Sequence, residues 1–202
     1  KKAEEQIVNE RNLSESILNS MPGVFYLYDE SGKFIRWNKN LETVSGYNTE
    51  EVSHIHPLDF FEGEEKALVA ERIAKVFADG SAEVEAEFID KNRVKKPYYF
   101  NGWATTYEKK RCLIGVGVDI TDRKRAENAL QVSEEKYRYL FNNNPALIVI
   151  WDPETLKILE VNEKVYELYG YSREEYLNMN VLQYRPAEDH EKIKEFAARM
   201  SA

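Results

Sequence analysis

One cysteine, Cys112, stands among 202 residues, so an internal disulfide framework is excluded. A lone thiol fits a reducing compartment. No apolar run approaches the ~20 residues of a membrane span, which argues against direct membrane contact. Basic residues are the minority, 28 Lys and Arg against 36 Asp and Glu, for a net charge of −8. No basic stripe outweighs the acids, which argues against nucleic-acid binding. Lys1 is preceded by neither an initiator Met nor a secretory signal, so the chain reads as a cytoplasmic piece of something longer. No serine, histidine and carboxylate arrangement, phosphate-cradling glycine loop or zinc-spaced Cys/His group is present, so neither catalysis nor a metal site is expected.

What is present is a repeat. Residues 38–51 (NKNLETVSGYNTEE) and 162–175 (NEKVYELYGYSREE) align with one offset: Gly46-Tyr47 falls on Gly170-Tyr171, and Glu50-Glu51 on Glu174-Glu175. The distance is too long for a solenoid unit and suits two copies of a small domain. A hydrophobic content of 43% supplies cores for domains of that size.

Residues 1–20 read as a helix with a thin apolar stripe, ended by Met21-Pro22-Gly23. Residues 24–28 and 33–37 read as a hairpin around the turn Asp29-Glu30-Ser31-Gly32. Asn48 with Glu51, and Ser172 with Glu175, have capping-box spacing, so both copies start a helix at the same place. Residues 64–78 are amphipathic, with Leu68, Val69, Ile73, Val76 and Phe77 on one face. Three strands follow, around 84–88, 98–106 and 112–120, the last two joined at Glu108-Lys109-Lys110. From Thr121, a candidate cap, the positions Ala126, Leu130, Ser133, Tyr137 and Leu140 repeat at coiled-coil spacing. Strands at 146–151 and 156–161 then repeat the first hairpin, and helical sequence runs to Met200.

The division expected is a helix at 1–20, a complete domain at 21–121, a connecting coiled-coil helix at 122–142, and the first half of a second domain at 143–202. The last three strands of that second copy are absent from the sequence.

Asp29 before its glycine turn, Asn38, the Gly46-Tyr47…Glu50-Glu51 segment and above all residues 115–127 (GVGVDITDRKRAE) resemble the tandem PAS domains of bacterial sensory proteins. The resemblance implies an α+β fold: a five-stranded antiparallel sheet, helices over one face, a pocket between, and flanking signalling helices. It implies sensing, dimerisation and relay to an effector in the same parent chain, of histidine kinase or diguanylate cyclase type, as in two-component systems.

Strand alternation combined with the family geometry points Val24, Tyr26, Tyr28, Ala86, Phe88, Asn101, Trp103, Gly115 and Gly117 into the pocket. That lining suits an unidentified small organic ligand, or a core filled by its own aromatics. Glycine within a strand leaves room for close approach. Covalent flavin chemistry would need a cysteine where Pro57 stands, or Val181 in the second copy. Heme-binding members place the axial histidine mainly on the long helix: residues 64–78 have none, His54 and His56 precede that helix, and His190 stands near the start of the second copy's long helix in a polar context that suits a helix first turn. Both cofactors are therefore disfavoured.

In the family, the Asp and Thr of the Asp-Ile-Thr ending tie the strand exit to the helix start, roles that fall on Asp119 and Thr121. The expected function is a sensory module that binds a small ligand or partner and relays the change through Asp119-Ile120-Thr121 and the connecting helix. Homodimerisation is expected through residues 1–20 and the seam Ala126, Leu130, Tyr137 and Leu140. The alternatives are a ligand-free dimerisation module and a heme or flavin sensor of redox or light.

Overall fold

The computed structural model describes residues 2–200. The chain divides into two units, Lys1–Ala126 and Glu127–Ala202.

Unit one opens with helix α1 (Lys2–Ser20), followed by the hairpin β1 (Val24–Asp29) and β2 (Phe34–Trp37). Two short helices, α2 (Lys39–Ser45) and α3 (Thr49–His54), a 3-10 turn (Pro57–Phe60) and the long helix α4 (Gly63–Asp79) cross over to β3 (Ser81–Ile89), β4 (Lys95–Tyr107) and β5 (Lys110–Asp119). The five strands form one antiparallel sheet in the order β2-β1-β5-β4-β3. Because β5 lies between β1 and β4, the chain leaves the unit from the middle of the sheet. The helix α5 (Thr121–Asn142) follows at once.

Local chemistry explains the helix boundaries. Asn48 and Glu51 form a reciprocal capping box, with Glu51 N–H donating to Asn48 Oδ1 at 2.9 Å and Asn48 N–H to Glu51 Oε2 at 3.0 Å. Gly46 closes α2 at φ +74°, in left-handed space where a side chain is strained.

The core lies between the sheet and α2–α4, where Val24, Tyr28, Phe34, Leu41, Phe60, Val69, Phe88, Phe100 and Leu113 are buried together. A smaller cluster of Phe25, Leu27 and Cys112 lies on the other face, packed against Leu18, Met21 and Ile35.

Unit two repeats the beginning of this plan. After α5 come the hairpin β6 (Val149–Trp151) and β7 (Ile158–Val161), then α6 (Glu163–Tyr169), α7 (Arg173–Leu177), a 3-10 turn (Ala187–Asp189) and α8 (His190–Met200). Its sheet has two strands. Gly170 ends α6 at φ +76°, and Ser172 with Glu175 caps α7, matching Gly46, Asn48 and Glu51. Tyr176, Ile158 and Val165 centre its core.

One asparagine in each unit ties the incoming helix to the hairpin. Asn38 is 1% exposed and fully engaged. Its Oδ1 accepts from Phe25 N–H at 2.9 Å and Leu41 N–H at 3.2 Å. Its Nδ2 donates to the carbonyls of Leu18 at 3.1 Å and Gly23 at 3.0 Å. Asn162 does the same: Oδ1 accepts from Ile148 N–H at 3.0 Å, and Nδ2 donates to Phe141 O at 3.1 Å and Ala146 O at 2.8 Å.

A candidate ligand cavity and its exit

A cavity of about 60 Å³ lies within unit one, between the inner face of the sheet and α4. Val24, Tyr26 and Tyr28 from β1, Phe88 from β3 and Leu113 from β5 form its sheet wall. Val69, Arg72, Ile73 and Val76 present one face of α4, and Pro57, Phe60 and Phe61 close the end. The helix positions follow the 3.6-residue period, so Arg72 shares the inner face with Val69 and Val76.

Cross-strand register fixes which residues look inward, because directly paired residues share a face. Gly117 pairs with Val24 and Phe100, and Gly115 with Tyr26 and Gly102. The inner set on β4 is thus Tyr98, Phe100, Gly102 and Ala104. Trp103 pairs with Ile114 on the outer face and is 50% exposed, so the expectation that it lines the pocket is corrected. Asn101 shares that outer phase, and its Oδ1 accepts from Val116 N–H at 3.4 Å. Asn101 still borders the cavity, and its carbonyl accepts the Tyr26 hydroxyl at 3.0 Å.

Ala86 is buried in the core without lining the cavity. Gly115 and Gly117 face inward, but their space is taken by the chain itself. A Cβ on Gly117 would lie 2.5 Å from Phe100 Cε1, and one on Gly115 would lie 2.7 Å from the Tyr26 hydroxyl. The expectation that these glycines leave room for a ligand is corrected: they accommodate the rings of Phe100 and Tyr26.

The cavity wall is largely aromatic. Phe60 stacks on Phe88 at 4.9 Å between centroids, Phe61 meets Phe100 edge-on at 5.5 Å, and Tyr26 stacks on Tyr28 at 5.8 Å. Burial pushes both tyrosine phenols well above their ordinary value, so they are neutral donors at any physiological pH. Arg72 escaped the sequence reading. The signal was there: it stands three residues after Val69 and four before Val76, within a face otherwise apolar.

Beyond the cavity, Cys112 is buried on the opposite face of the sheet. The three histidines make local hydrogen bonds. His54 Nδ1 lies 2.8 Å from Glu50 O, His56 Nδ1 accepts from Leu58 N–H at 3.1 Å, and His190 Nε2 lies 3.0 Å from Arg185 O. Among the described residues, no three His, Cys, Asp or Glu side chains cluster in a way that could hold a metal ion. No helix among them is long and apolar enough to cross a membrane.

The exit from β5 is tightly built. Asp119 Oδ1 accepts from Thr121 N–H at 2.8 Å, so the two residues expected to tie the strand exit to the helix start are bonded to each other, with the Asp119 carboxylate rather than the Thr121 hydroxyl as the capping group. Lys124 reaches Glu85 Oε2 on β3 at 2.7 Å, and Arg123 pairs with the other oxygen. Hydrogen bonds from Lys124 and Arg123 hold the Glu85 carboxyl below its usual range. These residues fasten the first turn of α5 to the edge strand β3, two strands away from β5, and only the tertiary structure brings them together.

Farther along α5, Leu130 and Leu140 are 62% and 56% exposed and Ala126 is exposed. Tyr137, also exposed, stacks on Phe141 at 5.4 Å and donates to Glu160 Oε2 at 2.9 Å.

The model of the PAS fold matches residues 12–120 and 135–202. The aerobic respiration control sensor protein ArcB of Escherichia coli is 27% identical over 129 residues, covering 62% of this chain and 17% of that protein. A methyl sulfide methyltransferase-associated sensor of Methanosarcina acetivorans is 30% identical over 90 residues, covering 45% of this chain and 9% of its own length. The chain thus spans less than a fifth of these curated relatives. Among solved structures, the PAS domain of an HTR-like protein from Haloarcula marismortui superposes with a TM-score of 0.52 at 15% identity, covering 59% of this chain and 98% of that one.

Proposed function

The chain belongs to the PAS-fold family, whose modules act as sensory inputs, and from that premise we propose that unit one binds a small ligand in its cavity and relays the event through Asp119-Ile120-Thr121 into α5. The observation that carries this reading is the placement of β5. One strand both walls the cavity, through Leu113, and ends at the capped start of the exit helix. A shift in β5 therefore acts directly on the first turn of α5, which Glu85 also holds from β3. A volume of about 60 Å³ supports an occupant much smaller than heme or flavin. The PAS module itself is not catalytic. The proposed output is an effector of histidine kinase or diguanylate cyclase type elsewhere in a longer, cytoplasmic parent chain. The names of the two relatives, both sensors and both much longer than this chain, support a sensory role within a longer protein.

The test is amide hydrogen exchange with and without xenon pressure, which fills small apolar cavities. Filling the cavity should change protection at residues 120–124 as well as around Leu113. A change confined to the cavity wall would sink the relay.

A second reading, a dimerisation module, is favoured by the exposed apolar residues Ile7, Leu13 and Ile17 on α1 and Leu130 and Leu140 on α5. Sedimentation as a monomer at high micromolar concentration would exclude it, and would also remove dimerisation from the primary reading.

A further inference from the structure

Resting on the reading that the cavity takes a ligand, we propose that the occupant is a small organic anion, a short aliphatic carboxylate, held by Arg72 and Tyr28.

Two of the side chains bordering the cavity are charged, Arg72 and Glu83. Glu83 pairs with Asn101 on the outer phase of the sheet, and its carboxylate accepts the Tyr99 hydroxyl there. Arg72 is left as the charged side chain on the cavity side. Its Nε is buried without a hydrogen-bond partner, and Arg72 makes no ion pair among the described residues. A guanidinium cannot relieve this by losing its proton. Arg72 is half-buried as a whole, but its Nε is a buried donor with no acceptor, and an acceptor entering the cavity would satisfy it.

Tyr28 gives a second, independent indication. It is 5% exposed and lines the same cavity, and its hydroxyl, which is not fully enclosed, forms no hydrogen bond among the described residues. Tyr26, by contrast, donates to the Asn101 carbonyl. The cavity is thus bordered by two donors that have no protein acceptor among the described residues, one of them on a cationic side chain, and most of its other lining is apolar. A ligand that accepts at one end and is apolar at the other satisfies both. A carboxylate on a short hydrocarbon body has that character. A phosphate would bring a larger desolvation cost into the same small space.

The experiment uses the 202-residue chain with methyl-labelled Ile, Leu and Val. Acetate and propionate are titrated against the neutral alcohols ethanol and propan-1-ol, with xenon as a probe of the cavity itself. The acids should shift the Val69, Ile73 and Leu113 methyls saturably and bind about tenfold or more tightly than the alcohols. Arg72→Leu should abolish that preference without lowering the ligand-free melting temperature. Tyr28→Phe should weaken the acids severalfold. Xenon shifts at the same methyls in Arg72→Leu would show that the variant keeps its cavity.

Alcohols that bind as tightly as the acids, acids that bind Arg72→Leu undiminished, or acids that fail where xenon enters would each overturn the anion assignment and leave a ligand cavity standing. Silence from acids, alcohols and xenon together would overturn the ligand-cavity reading beneath it.

Discussion

The side-chain amide of Asn38 donates to the main-chain carbonyl of Leu18 at 3.1 Å, closing the last turn of α1 onto the first hairpin. Asn162 holds the Phe141 carbonyl in the same way at the same distance, at the end of α5. An incoming helix is thus fastened to each unit by one buried amide. Replacing Asn38 with Ala would leave the Phe25 and Leu41 N–H groups and two carbonyls without that partner. We expect Asn38→Ala to lower the unfolding free energy of unit one by about 3 kcal/mol, read by urea denaturation. A loss within ~0.5 kcal/mol, as at an ordinary surface site, would contradict the latch.

Asp119 makes a prediction about pH. Burial alone would raise its carboxyl, but hydrogen bonds from Thr121, aided by Lys96 and Arg125, outweigh burial and hold it below 3.8. A carboxyl depressed by folding contributes stability above its unfolded value and loses it as pH falls through the lower folded one. The helix junction should therefore be intact above pH 3.8 and loosen below it. Carboxyl NMR checks this, and a folded value above 3.8 would refute it. Asp119→Ala should cost about 1 kcal/mol at neutral pH and increase amide exchange in the first turn of α5.

Gly117 and Phe100 are a coupled pair. A methyl group on Gly117 would meet the Phe100 ring and lie 2.8 Å from Val24 Cγ2. Gly117→Ala is expected to destabilise by about 2 kcal/mol, and Phe100→Leu in the same chain to recover part of that loss. A double-mutant cycle by thermal unfolding measures the coupling. Strict additivity would mean that the glycine has some other role.

The β4–β5 turn carries avoidable strain. Tyr107 pairs with Lys110, leaving Glu108 and Lys109 at φ +47° and +65°. Two-residue hairpins of this kind favour Asn-Gly. Substituting Asn-Gly at 108–109 should raise stability by about 1 kcal/mol or more, since left-handed backbone is costly for ordinary side chains. An unchanged melting temperature would show that the strain is relieved locally.

Much of this fold was legible because its signals are local. The capping boxes at Asn48 and Ser172 need three residues each, the turn glycines Gly46 and Gly170 need one, and the alternation along Val84–Phe88 needs five. The candidate site was less legible. Tyr26 and Tyr28 were readable from alternation on β1. On β4 the same alternation allows two phases, and the family geometry favours the one with Asn101 and Trp103, whereas pairing with β5 turns Trp103 outward. The stripe Tyr98, Phe100, Gly102, Ala104 carries one polar side-chain group, the phenol of Tyr98, whereas Tyr99, Asn101, Trp103, Thr105 carries one at every position. That contrast was the better guide.

The sequence by itself determined the repeat, the caps, the hairpins and the family, because each is set by neighbours along the chain. Which face of β4 looks inward was decided by pairing with β5 across intervals such as Phe100 to Gly117. The cavity was decided only in three dimensions, since its volume is what remains after rings from β1, β3 and β4 and the 3-10 turn have packed. Arg72 gained its importance the same way. Along the chain it is one charge in a polar helix, and in the fold its Nε lies buried beside a cavity that offers it no acceptor.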